Sequence, residues 1–287
     1  MSITVKDLTY IYEQGTTYEK RALSHINLEI GAGEFIGLIG HTGSGKSTLI
    51  QTLNGLIRPT EGSVYYNDED IFSEKGEMRK LRQKIGLVFQ YPEYQLFETT
   101  VGKDIAFGPK NMGLGEEEIK DRVKRAMEIV GLAPEISDKS PFDLSGGQRR
   151  RVAIAGILAM EPEYLILDEP TAGLDPRGRE EILDEVASLH KQRGITVILV
   201  SHSMDDVAEY VERIIAMDKG TIRYDGSPEE VFSHEAELKT MGLDVPQATQ
   251  LSNRLRERGW EIPGTILNLN QMEQSIIGAR LRKEEDR

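Results

Sequence analysis

Gly40-His41-Thr42-Gly43-Ser44-Gly45-Lys46-Ser47-Thr48 has the residue types and spacing of a loop that wraps phosphate. Glycine lets the backbone curl until successive N–H groups point inward at phosphate oxygens. A helix starting near Lys46 would add its positive N-terminal end at the same place. From there Lys46 can reach the β- and γ-phosphates of a nucleotide, and the Ser47 hydroxyl can ligate Mg2+. Asp168 closes the apolar run Tyr164-Leu165-Ile166-Leu167, so its carboxylate would be rigidly placed to hold Mg2+ directly or through water. Glu169 follows and can polarise an attacking water as general base.

Two more polar residues end apolar runs. Gln90 follows Ile85 to Phe89, and its amide could reach Mg2+ or the water. His202 follows Val197 to Val200, between Ser201 and Ser203. If these runs are neighbouring parallel strands, their ends meet Asp168 along one sheet edge, where open α/β sheets bind ligands. His202 would there contact the γ-phosphate and position the water. Leu144-Ser145-Gly146-Gly147-Gln148 is a second anion site of another construction: a serine hydroxyl, two unobstructed amides and a helix N-terminus. One ATP needs one phosphate loop, so the economical reading is that this second site grips a neighbouring subunit's ATP.

The elements that must hold these residues are legible in outline. Ile3 to Val5 and Ile26 to Ile30 alternate as strands do, and Glu34 to Ile39 reads as a buried strand feeding the glycine loop. Lys46 to Leu56 reads as a helix closed by Arg58-Pro59. From Pro92 to about Met160 the pattern turns helical, with Glu116 to Val130 and Gly146 to Met160 the clearest segments. Strand signals resume at Tyr164 to Leu167 and Val197 to Val200, joined by a helix over Gly178 to His190, which predicts a parallel sheet. Ile214 to Met217 and Thr221 to Tyr224 predict a hairpin. Beyond Gly226 the spacing predicts short helices over Ser227 to Phe232, Gln247 to Arg258 and Leu269 to Leu281.

Composition narrows the function. The 287 residues include no cysteine, which excludes disulfides and thiolate metal sites and fits a reducing cytosol. A net charge of -13 argues against a general nucleic-acid binder. The apolar run Val152 to Met160 falls far short of the ~20 residues of a spanning helix. A soluble chain is expected, reaching any membrane through a partner.

Taken in order, these motifs resemble those of the ATP-binding-cassette (ABC) ATPases. Gly40 to Ser47 match Walker A, Leu165 to Glu169 Walker B and Leu144 to Gln148 the LSGGQ signature; Gln90, Gly173-Leu174-Asp175 and His202 match the Q-, D- and H-loops. Tyr12 is placed like the aromatic residue that stacks on adenine, with Tyr10 as the alternative. The resemblance covers roughly residues 3 to 225. It implies an α/β P-loop NTPase core with a parallel sheet, an antiparallel β subdomain and an inserted helical subdomain over about 92–160. That makes an ATPase domain of 1–225, with an α-rich extension over 226–287. It further implies ATP and Mg2+ as ligands, with Glu169, His202 and Gln90 catalytic and Ser47, Gln90 and Asp168 at the metal. The nucleotide contacts would be Tyr12, Gly40 to Thr48, Ser145 to Gln148 and Asp175, the signature acting across a head-to-tail pair of cassettes.

Finer features are similar to the ATP-binding subunits of energy-coupling factor (ECF) importers: His41, the run Gln95 to Val101 with Asp104 to Pro109, and Thr16 to Leu23, which resembles the second of the paired ATPases. This implies a second cassette as partner, in a heterodimer rather than a homodimer. It also implies a transmembrane scaffold whose coupling helix enters a groove at Tyr91 to Pro109, and substrate-capture proteins reached indirectly. The chain would lie peripherally on the cytoplasmic face of the membrane, dimerising in part through 226–287. An ordinary ABC solute or metal transporter, cobalt or nickel included, is the alternative. A soluble non-transport cassette fits less well, because only 99 residues separate Gly45 from Ser145 and the chain carries one cassette.

Overall fold

The computed structural model describes residues 1–73 and 77–285. Along the chain, β1 (Ser2–Tyr12), β2 (Lys20–Gly31) and β3 (Phe35–Gly40) precede helix α1 (Lys46–Leu53). Then come β4 (Glu61–Tyr66), β5 (Glu69–Asp70), α2 (Met78–Lys84) and β6 (Ile85–Val88). A helical block follows: α3 (Val101–Asn111), α4 (Glu116–Ile129) and α5 (Gly146–Leu158). Alternation returns with β7 (Tyr164–Asp168), α6 (Pro176–Arg193), β8 (Thr196–Val200), α7 (Met204–Tyr210) and the hairpin β9 (Arg213–Asp218) and β10 (Thr221–Gly226). Helices α8 (Pro228–Ser233), α9 (Glu235–Thr240), α10 (Gln247–Glu257) and α11 (Leu269–Glu285) complete the chain.

The apolar runs become the centre of a six-stranded sheet of order β10-β9-β3-β8-β7-β6, parallel except for β10. Both faces of a parallel sheet are covered, so its strands are apolar on both sides. Alternate side chains serve two cores. Phe35, Ile39, Leu165, Leu167, Val197 and Leu199 join the core shared with the helical block and α6. Ile36, Leu38, Ile166, Ile198 and Val200 face α1 and the antiparallel sheet β2-β1-β4-β5. Gly37 interrupts β3 because α7 approaches closely; a Cβ there would lie 2.8 Å from a Val207 methyl.

Helix α1 ends at Leu53, three residues before the expected Leu56. The Asn54 amide donates to the Ile85 carbonyl, and Gly55 turns the chain at φ +71. In the helical block, α3 forms despite Gly102, Gly108 and Pro109, because Thr100 caps it and Val101, Ile105 and Ala106 are buried. The residues after β10 are not a loose tail. Val231, Phe232, Leu238, Leu243 and Val245 enter the larger core, and Ala248, Ile262, Ile266 and Met272 form a small core of their own. Among the described residues, no helix is long and apolar enough to cross a membrane.

Candidate nucleotide site

Strand register decides which side chains meet. Leu38 pairs with Val200, and Val200 with Asp168, so β3, β7 and β8 end level with one another. Val88 pairs with Leu167 and brings Gln90 to the same edge. Glu169, immediately after β7, takes a left-handed backbone, φ +49, and its N–H donates to the Val200 carbonyl. A non-glycine residue held in that region costs of order 1–3 kcal/mol and persists where surrounding structure fixes it. Here the turn aims the carboxylate along the edge. Gln90 Nε2 donates to Glu169 Oε2 at 2.7 Å, and His202 Nε2 lies 2.8 Å from Glu169 Oε1. The three expected catalytic side chains are thus one hydrogen-bonded cluster.

The phosphate loop lies one strand away. Gly45 caps α1 at φ +108, with the Ala22 carbonyl 2.6 Å from where a Cβ would sit, so no other residue fits. Lys46 is buried and donates to the carbonyls of Gly40 at 2.6 Å and His41 at 3.2 Å. Burial lowers its pKa, opposed by the nearby Glu169 and Asp168. His41 bridges the loop to the end of β9: Nδ1 lies 2.8 Å from the Thr42 carbonyl and Nε2 3.2 Å from Asp218 Oδ1. At the far side of α1, the Tyr12 hydroxyl meets Thr48 Oγ1 at 3.1 Å, which pins the end of β1 to the loop's helix. Tyr10 packs edge-on against Tyr12 and belongs to the second core.

Asp168 is 9 % exposed, and its pKa is pushed up to about 6. Burial is the main cause and Glu169 adds to it, while Lys46 and His202 pull the other way. A cation would remove that cost. Asp168, the Ser47 hydroxyl and the Gln90 amide oxygen would together supply an all-oxygen donor set of the kind Mg2+ prefers. Among the described residues no three His, Cys, Asp or Glu side chains gather as a metal cage, so the ion's other ligands would come from phosphate and water.

The signature residues begin α5. Ser145 Oγ accepts from the Gln148 N–H at 3.2 Å and Gln148 Oε1 accepts from the Ser145 N–H at 3.1 Å, a capping box. This pairing engages the Gln148 side chain within its own helix. A Cβ at Gly146 or Gly147 would meet nothing within 4 Å, and neither residue has a positive φ. Asp175 caps α6, accepting from the Gly178 N–H at 2.8 Å.

Several contacts escape sequence reasoning. Asp218 ends an apolar strand as Asp168 does, which is the one signal that marks it. The Asp205 carboxylate, in the first turn of α7 just beyond His202, accepts from the Gln247 backbone N–H at 2.9 Å and its side chain at 3.3 Å. Gly242 passes close to His41, whose Cβ would lie 3.8 Å from a Cβ built at 242. The segment after β10 is thereby seated on both the H-loop helix and the phosphate loop, through partners far apart in sequence.

A parallel sheet with a phosphate loop after its central strand, and a helical block let into the chain, is the architecture of a nucleotide-hydrolysing cassette. The chain belongs to the ABC transporter family, whose model matches residues 23–172. It is 57 % identical over 278 residues to the energy-coupling factor transporter ATP-binding protein EcfA2 of Clostridium tetani, covering 96 % of each chain. The structure of cbiO1 from Clostridium perfringens, described as part of the ABC transporter complex cbiONQ, superposes with a TM-score of 0.74 at 42 % identity, covering 88 % of this chain and 98 % of that one. The dimeric cassette MJ0796, in a post-hydrolysis state with ADP and Pi, gives a TM-score of 0.71 at 32 % identity, covering 78 % and 98 %.

Proposed function

We propose that this chain is an ATP-hydrolysing subunit of an energy-coupling factor importer, working as one of two cassettes on a transmembrane scaffold. The observation that carries the paired site is the open surroundings of Gly146 and Gly147. Nothing in their own chain requires glycine there, whereas a phosphate approaching the two amides does. Likeness to the C. tetani ATP-binding protein over 96 % of each chain supports the importer class. The dimer of MJ0796 supports a paired arrangement.

The chemistry follows from the cluster at the strand ends. Lys46 and the loop amides hold the β- and γ-phosphates. Mg2+, when bound at Ser47, Asp168 and Gln90, would offset charge building on the phosphate oxygens. Glu169 takes a proton from the attacking water, and His202 and Gln90 fix its carboxylate from either side. Tyr12 presents a ring to adenine, with its hydroxyl tethered to Thr48. Stacking of a base on an aromatic ring contributes ~1–3 kcal/mol, so Tyr12→Ala should weaken ATP binding roughly 5- to 160-fold. Tyr10→Ala should change it little. Titration with a fluorescent nucleotide checks both, and the reverse order would give the role to Tyr10.

The scaffold's docking place is a groove of about 640 Å3 walled by α2, the segment Gln95 to Phe97, α3 and α5. Phe97 and Phe107, 59 % and 44 % exposed, stand at its wall, and its floor is where α3 and α5 pack closely, a Cβ at Gly108 lying 2.6 Å from Met160. Docking there would hold the chain on the cytoplasmic face of the membrane. The likeness to cbiO1, described as part of an ABC transporter complex, favours a second reading, the ATPase of an ordinary ABC solute or metal transporter. Purification of the tagged chain from gently solubilised membranes separates the two. Recovery with a second cassette, a scaffold and several different capture proteins supports the importer with exchangeable substrates. A single fixed membrane partner set supports the second reading, and recovery with ribosomes or DNA alone would overturn both.

A further inference from the structure

Arg150 lies five residues past Ser145 in α5, in the middle of three consecutive arginines, yet it is 2 % exposed. Its guanidinium makes a forked pair with Glu93, Nε to Oε2 at 3.1 Å and Nη2 to Oε1 at 2.9 Å. Nη1 donates to the carbonyls of Pro170 at 3.1 Å and Ala172 at 2.6 Å. The same guanidinium stands 5.9 Å from the Tyr91 ring centroid. Each contact falls on a segment beside the reacting edge. Tyr91 and Glu93 follow Gln90. Pro170 and Ala172 lie between Glu169 and Asp175, and the Ala172 N–H donates back to the Glu169 carbonyl at 3.1 Å.

We propose that Arg150 is a positioning residue that fixes the signature helix against the chain's own catalytic edge, so that the nucleotide gripped in one site and the neighbour's nucleotide gripped by the signature are sensed together. The planar fork matters here. Guanidinium can satisfy a bidentate carboxylate and two carbonyls at once, which ammonium cannot. A rigid link of this kind makes any movement of Gln90 on phosphate reach Glu93, Arg150 and the start of α5 in one step. The neighbouring Arg151 supplies the contrast. It binds Glu181 and Glu185 of α6 and the Val130 carbonyl, contacts that hold the helical layer together but touch no residue of the strand-end cluster.

The inference rests on the paired-cassette reading, and the test keeps the two separate. In the complex purified with its partners, Glu93→Gln and Arg150→Lys keep a polar side chain in place, whereas Arg150→Ala would leave the half-buried Glu93 without its guanidinium partner. Misplacement of reacting groups by about 1 Å can cost on the order of 100-fold. Each variant should therefore lower kcat roughly 10- to 100-fold while KM for ATP stays within about threefold. The double variant should be no worse than the more damaging single one, because both act through one contact. Glu185→Gln, which removes an ion pair from Arg151, should lower the unfolding midpoint without moving kcat. Unchanged kcat in Glu93→Gln and Arg150→Lys, or losses that merely follow the unfolding midpoint as in Glu185→Gln, would overturn the proposal. A parent complex that does not hydrolyse ATP would overturn the functional reading itself, and this one with it.

Discussion

Glu169→Gln should bind ATP as the parent does and hydrolyse it about 10²–10⁴ times more slowly, the usual loss when a general base is removed. The substitution is conservative in shape. Glutamine has the same length, and the left-handed backbone at φ +49 is fixed by the N–H bond to Val200 rather than by the side chain. What changes is basicity. The amide cannot take the proton of the attacking water, whichever way Gln90 and His202 hold it. The charge balance also shifts in a direction that favours binding. Glu169 is one of the two causes that raise the Asp168 pKa to about 6, so a neutral residue at 169 lets Asp168 ionise more readily. Mg2+ and nucleotide affinity should hold or improve slightly, and ATP-bound pairs of cassettes should accumulate. Single-turnover hydrolysis together with equilibrium nucleotide binding tests this. A rate within about tenfold of the parent would assign the base elsewhere.

Gly147→Asp carries an equally large expected effect with opposite signs in two measurements. Glycine in a helix costs roughly 0.5–1 kcal/mol relative to alanine, and an acidic residue in the first turn favours the helix dipole. Gly147 is the second residue of α5, has no neighbour within 4 Å of a Cβ, and adopts no positive φ. The isolated chain should thus be as stable as the parent or more so, by up to ~1 kcal/mol. The paired assembly should fail. A carboxylate would stand where the two amides receive a neighbour's phosphate, and losing one well-placed donor to a developing charge already costs roughly 10²–10³ in rate. Thermal unfolding of the chain and ATP turnover of the assembly are the two readouts. Full turnover in the variant would mean that these glycines do not face a nucleotide.

Sequence alone makes the strand-end chemistry legible, because β3, β7 and β8 are apolar throughout and each stops at residues that can bind, carry charge or move a proton. Once the strands are parallel, Asp168, Glu169 and His202 must share an edge with the glycine loop. The outer elements are harder to read. β1 pairs with β2 through several register shifts, with Asp7 at positive φ inside the strand, so its alternation breaks and only its first residues read as a strand. β4, Glu-Gly-Ser-Val-Tyr-Tyr, carries little apolar signal, since its role is to pair with β1. α3 contains two glycines and a proline. Arg150 is invisible for another reason: three arginines in a row read as a solvated face, and only tertiary contacts with Glu93 and the turn after Glu169 make one of them a core residue. Asp205 with Gln247, 42 positions apart, is equally a product of the fold.

The place of β3 in its sheet also sets a schedule. The strand that ends in the phosphate loop is among the first made, yet its two neighbours are β8 and β9, and Phe35 waits for Val197 and Gly40 for Met217. At about 5–20 residues per second, the roughly 160 residues between them take on the order of 8 to 30 seconds to synthesise. Throughout that interval an apolar strand and its loop exist without the partners that shape them, a period in which holdase chaperones have an exposed target. Ribosome-bound chains arrested before β8 should therefore be held by chaperones and show no nucleotide protection from protease, and chains arrested well after β10 should show it. The capacity to bind ATP arrives late in the life of the nascent chain, long after the phosphate loop itself has been made.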